Sequence, residues 1–125
     1  MDPQRISDTV DALASDLVQF IQSLVQTPSL PNHEHAVQGL IAEELRRLGL
    51  DVDIVPTRFE ELRDHPAFNY DGFAPEGRVN VIGRWRGAGH GEGHSLILNG
   101  HVDVVATGDP ALWSASPWSG AVRDG

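Results

Sequence analysis

His101 and Asp103 stand two positions apart at the end of an apolar run, in the stretch LILNGHVDVV over residues 96–105. If the backbone stays extended there, both side chains leave the same face. An imidazole can then bind a metal through one ring nitrogen while its other N–H donates to the carboxylate. That second bond fixes the tautomer and strengthens the ring as a ligand. On this reading His101 is a metal ligand and Asp103 the catalytic-site carboxylate that orients it. A His-x-Asp triplet is a weak signal by itself. A strand-end cap by His101 and a turn hydrogen bond from Asp103 would account for the same two residues without a metal.

The elements that must position this pair can be read from periodicity. Three consecutive apolar residues, Leu96, Ile97 and Leu98, predict a central strand over 95–99 covered on both faces. Gly100 to Asp103 then fall beyond its carboxyl end, where ligands bind in open α/β sheets. Gly100 permits a turn or a close backbone approach at that point. Upstream, Val10, Leu13, Leu17, Phe20, Ile21, Leu24 and Val25 recur at spacings of three and four, predicting an amphipathic helix over 7–26. Ser7 or Asp8 can cap it and Pro28 blocks its continuation. A second helix is predicted over 33–48, with Asn32 as N-cap and a stripe of Val37, Leu40, Ile41, Leu45 and Leu48. Arg46 and Arg47 suit its last turn, and Gly49 suits the left-handed position after it.

Val52 and Ile54 alternate with Asp51 and Asp53, a short strand with one wet face that Pro56 ends. Residues 57–78 carry Pro66, Gly72 and Pro75 and read as loop, with a helical turn over 59–63. A strand over 79–85 follows, then the connection GAGHGEG over 87–93, the strand over 95–99, and a turn-rich tail with a short strand at 121–123. Helices first and strands after them predict an α/β chain with helices packed on a mostly parallel or mixed central sheet. Two helices cannot hold such a chain without a sheet to bury their stripes, and three strands leave one sheet edge unfinished.

The composition narrows the function classes. Hydrophobic residues are 40% and charged residues 22% of the 125, which suits a globular chain. Nine basic against eighteen acidic side chains give a net charge of −9, which repels nucleic acid and anionic membrane surfaces. No cysteine is present, so disulfides, thiolate zinc sites and cysteine nucleophiles are excluded, leaving His, Asp and Glu as metal ligands. The start, MDPQRISDTV, lacks the apolar core of a signal peptide, and no run reaches the length of a membrane helix. The expected compartment is the cytoplasm.

Beyond the triplet, LILNGHVDVVATGDPALWSASPWSGAVRDG resembles the metal-site region of the zinc-dependent peptidase and deacylase family. That family includes acetylornithine deacetylase, succinyl-diaminopimelate desuccinylase, aminoacylase and carboxypeptidase G. TPSLPNHE, LRRLGLDVDIV and GRVNVIGRWRG look like further landmarks of the family in the same order. The resemblance implies that His101 is a first metal ligand and Asp103 the acidic residue that orients it. It implies a pair of zinc ions, with cobalt or manganese as substitutes, supplying a hydroxide to attack an amide carbonyl. The substrate it implies is a small amide such as an N-acyl amino acid, with the acetylornithine and diaminopimelate deacylases as the nearest branch. A homodimer of the longer form is the partner it implies.

In that family a bridging aspartate lies in a Gly-Arg-Gly-x-x-Asp-Met-Lys stretch, and paired glutamates, another acidic ligand, a distal histidine and a smaller inserted domain follow. That stretch does not occur in these 125 residues, and the family features that follow it are not expected among them. Residues 1–125 are therefore expected to be the N-terminal portion of a metallohydrolase catalytic domain, inactive alone. A second expectation is a naturally short, non-catalytic remnant or interaction module that uses the unfinished sheet edge. Other polar residues carry less. His90 and His94 suit exposed positions in a glycine-rich connection, and His33, His35 and His65 suit solvated ones. Trp113, Pro117 and Trp118 suit packing beneath a loop over a substrate-pocket role, and Asp109 suits a Gly-Asp-Pro turn.

Overall fold

The computed structural model describes residues 2–69, 72, 77–87 and 93–124. Helix α1 spans Pro3–Val25, α2 spans His35–Arg47 and the short α3 spans Phe59–Leu62. Strands β1, Asp51–Pro56, and β2, Val79–Arg84, form the sheet, and a 3-10 turn covers Pro110–Leu112. The chain is α/β. It divides into two compact units, Met1–Pro28 with Thr107–Gly125, and Ser29–Ala106.

In the first unit α1 begins earlier than the stripe suggested. Asp2 is the N-cap, its Oδ1 accepting from the Gln4 amide at 3.1 Å, and Pro3 opens the first turn. Ser7 and Asp8 therefore lie inside the helix. The segment after Thr107 meets the last turns of α1. Gln22 Nε2 donates to the Gly120 carbonyl at 2.8 Å and Gln26 Nε2 to the Ser119 carbonyl at 3.1 Å. Gly120 has φ +60°, and a Cβ there would stand 3.1 Å from the Gln22 carbonyl oxygen, so both backbone and space call for glycine. Phe20 and Leu24 are half-buried, while Val10, Leu13, Leu17 and Ile21 remain exposed. The stripe is present as predicted, but only its end is covered among the described residues.

In the second unit β1 and β2 pair antiparallel, Asp51 opposite Arg84 and Pro56 opposite Val79. Residues directly opposite share a face, so Val52, Ile54, Val79, Val81 and Gly83 line one side of the pair. Helix α2 packs on this hairpin-like pair, burying Val37 and Ala42. A Cβ on Gly83 would meet Leu50 Cδ2 at 2.8 Å and Leu45 Cδ1 at 3.1 Å. The other face carries the Asp53–Arg84 ion pair at 2.6 Å.

Three expectations are corrected here. The predicted N-cap Asn32 instead adopts φ +70° in a turn, and α2 starts at His35 behind Glu34. Gly49 does take the left-handed position after α2, with φ +81°. Residues 95–99 form no strand: Leu96, Ile97 and Leu98 are 82%, 87% and 88% exposed. Residues 121–123 form none either. A strand exists only where a neighbouring backbone takes its hydrogen bonds, and none is supplied to these segments by the described residues. The sheet observed is accordingly two-stranded and antiparallel.

Candidate functional site

The His-x-Asp triplet lies in the second unit, in an irregular but ordered segment. Its order comes from a residue distant in sequence. Ser29 is 4% exposed, and its Oγ donates to the Val102 carbonyl at 2.7 Å. The Val104 amide in turn donates to the Ser29 carbonyl at 3.1 Å. Residues 102–104 are thereby held although they belong to no regular element.

His101 and Asp103 are brought together. The imidazole Nδ1 lies 3.2 Å from Asp103 Oδ1 and 3.1 Å from the Asp103 carbonyl oxygen. Two acceptors against one ring nitrogen favour Nδ1 as the N–H, which leaves the Nε2 lone pair outside the pair. The His101 side chain is 83% exposed, so Nε2 is open to a ligand.

A cleft of about 170 Å³ adjoins the pair, lined by Glu34, Gln38, Arg78 and Asn80 as well as His101 and Asp103. The glutamate reaches it from the residue before α2. Its Oε1 lies 3.6 Å from Arg78 Nη2, a Coulomb contact too long to be a hydrogen bond. That oxygen is buried and has no hydrogen-bond partner among the described residues. Gln38 Nε2 donates to the Val79 carbonyl at 3.2 Å, tying α2 to β2 at the rim. The cleft is smaller than a typical drug-sized pocket.

The local chemistry offers one exposed imidazole whose Nδ1 is hydrogen-bonded to the Asp103 carbonyl oxygen and has the Asp103 carboxylate 3.2 Å away. A catalytic zinc takes three protein ligands. Among the described residues no group of three or more His, Asp or Glu side chains is placed to hold an ion. The described residues thus bring together one histidine and one aspartate, and no reaction step follows from them alone.

His35 also lines the cleft. His33, His35, His65 and His94 are exposed, and His90 lies outside the described residues. Asp109 Oδ1 accepts from the Ala111 amide at 2.9 Å, serving the turn as expected. Trp113 is 49% exposed and donates its Nε1–H to the Thr107 carbonyl at 2.8 Å, while Pro117 and Trp118 are half-buried. Ser29, Glu34 and Arg78 were not singled out from the sequence. The only signal for Ser29 is a small hydroxyl residue between two prolines, in TPSLPNHE, and its hydroxyl's partner, Val102, is 73 residues away.

Fold and site together define an α/β chain bearing an exposed His–Asp pair beside a small cleft. No family model matches the chain. A succinyl-diaminopimelate desuccinylase from Hydrogenovibrio crunogenus is 30% identical over 105 residues, which cover 84% of this chain and 22% of the desuccinylase. The chain therefore spans about a fifth of the length of that curated relative, to which it is distantly related. Among the described residues no helix is long and apolar enough to cross a membrane.

Proposed function

We propose that this chain carries the first metal-ligand segment of a metal-dependent hydrolase of small amides, N-acyl amino acids above all. The observation that carries the reading is the His101–Asp103 pair, with Nδ1 at 3.2 Å from the carboxylate and Nε2 open. The distant relationship to a desuccinylase supports the same class of reaction. His101 would hold one of two divalent ions, zinc or in its place cobalt or manganese, and Asp103 would orient the ring. The bound metal would polarise the amide carbonyl and supply hydroxide near neutral pH. Other ligands would have to come from polypeptide beyond the described residues, so residues 1–125 act as the N-terminal portion of a catalytic domain. A cytoplasmic location, a small-molecule substrate and a homodimer of the longer form complete the proposal.

The test is to isolate the protein from its own cells, measure its intact mass and metal content, and assay it against a panel of N-acetyl and N-succinyl amino acids. Chelator-sensitive hydrolysis by a protein much heavier than 13.6 kDa is the expected result. The purified 125-residue chain should be inactive in the same assay. Absence of any chelator-sensitive hydrolysis from the native protein would refute the reading. A native mass of 13.6 kDa would favour a non-catalytic interaction module, for which the exposed Leu96–Leu98 segment is the supporting observation.

A further inference from the structure

We propose that Ser29 is a positioning residue for the His101–Asp103 pair, acting through the backbone on both sides of Asp103. The proposal rests on the metal-ligand reading of that pair. The Ser29 hydroxyl takes the carbonyl of the 102–103 peptide at 2.7 Å, and the Ser29 carbonyl takes the N–H of the 103–104 peptide at 3.1 Å. These are the two peptide planes that flank Asp103. With both held, the φ and ψ of Asp103 are restrained, and with them the position of its carbonyl and the direction of its Cα–Cβ bond.

The second plane matters twice. Its N–H goes to Ser29, and its carbonyl is the Asp103 oxygen 3.1 Å from His101 Nδ1. One rigid amide therefore links the buried serine to the imidazole. Bonding at the N–H end also polarises the carbonyl end, strengthening it as an acceptor. The His101 and Asp103 side chains are 83% and 53% exposed, so packing cannot hold them in register. Ser29, at 4% exposure, is the buried anchor that can.

Alanine at position 29 removes the hydroxyl bond and leaves the Val102 carbonyl without that donor. The 102–104 segment then loses one of its two ties, and the carbonyl and carboxylate of Asp103 no longer converge on Nδ1. In a metal-loaded protein, loss of such an orienting partner weakens metal binding by about 10–100-fold.

The experiment uses the 125-residue chain without metal, wild type and with Ser29→Ala, Ser29→Thr or Ser29→Cys. The ¹⁵N spectrum of the His101 ring is recorded at about pH 8.5, where an ordinary imidazole is neutral. Wild type should show a predominantly Nδ1–H ring and a Val104 amide protected from hydrogen exchange. Ser29→Ala should shift the ring toward a tautomer mixture and raise Val104 exchange at least 10-fold, with Ser29→Thr restoring both. A purely structural role would change melting and leave the ring spectrum of the folded protein as in wild type.

A folded Ser29→Ala chain with a wild-type ring spectrum overturns the proposal. If the alanine variant does not fold, Ser29→Cys decides, since its thiol fills the site in place of the hydroxyl and is only a weak donor. A shifted ring then supports the proposal and an unshifted one overturns it. Zinc titration of the protein isolated from its own cells separates the two readings. No zinc uptake there would remove the metal function of His101, while the ring spectra would still decide the role of Ser29.

Discussion

At the residue scale, two exposed side chains are held in one geometry by a buried third. The imidazole of His101 faces both the carboxylate and the carbonyl of Asp103, so its Nε2 is the nitrogen left for a metal. Asp103→Asn keeps the shape and removes the charge that stabilises a metal-bound ring. In the metal-loaded native protein it should lower zinc affinity by about 10–100-fold, measured by competition with a chelating dye. An unchanged affinity would mean that the carboxylate does not orient the ligand. His-x-Asp was legible in the sequence as a chemical possibility. The Ser29 tie was not, because nothing local marks a serine for a partner 73 positions later.

At the element scale, glycine and paired charges mark where segments meet. Gly120 lies against the last turns of α1 with φ +60°, and a Cβ there would crowd the Gln22 carbonyl oxygen at 3.1 Å. Gly120→Ala should cost about 1–2 kcal/mol in the unfolding of the first unit, by chemical denaturation, from backbone strain and lost Gln22 and Gln26 bonds. An equal stability would show that the 107–124 segment contributes nothing to α1. On α2, hydrogen bonds from Arg47 at 2.6 and 2.7 Å hold the Glu44 carboxyl below its ordinary value. The neighbouring positive charge adds to this, and slight desolvation opposes it. A carboxyl lowered in the folded state stabilises above its unfolded pKa and loses that effect as pH falls through the folded one. Glu44→Gln should therefore melt slightly below wild type at neutral pH, with the difference closing in acid below the usual carboxylate range. Melting curves that stay parallel down to strong acid would contradict the assignment.

At the scale of the whole molecule, the exposed apolar residues dominate. Leu13, Leu17 and Ile21 on α1 and Leu96 to Leu98 stand in solvent, and only Val37 and Ala42 are buried apolar residues among those described. Apolar surface of this kind invites association. The purified 125-residue chain should bind a hydrophobic dye and sediment as larger species with rising concentration. Ile97→Lys should reduce both while leaving far-UV circular dichroism unchanged, since 95–99 forms no regular element. A monodisperse monomer with no dye binding would mean that these residues find cover in solution.

Local features follow from residue order alone. Apolar spacings of three and four specify α1 and α2, alternation specifies β1 and β2, and Gly49 and Asp109 specify their turns. Residue order also placed a histidine and an aspartate where metal chemistry is possible. Only the tertiary structure decided which apolar runs are covered. Leu96 to Leu98 have the composition of a central strand, but a strand requires hydrogen-bond partners from other segments, and burial requires layers that composition cannot supply. The same holds for the site. Spacing put His101 and Asp103 two positions apart, and the peptide planes tied to Ser29 turned that spacing into a contact, because a backbone without regular structure takes its direction from whatever remote group bonds it.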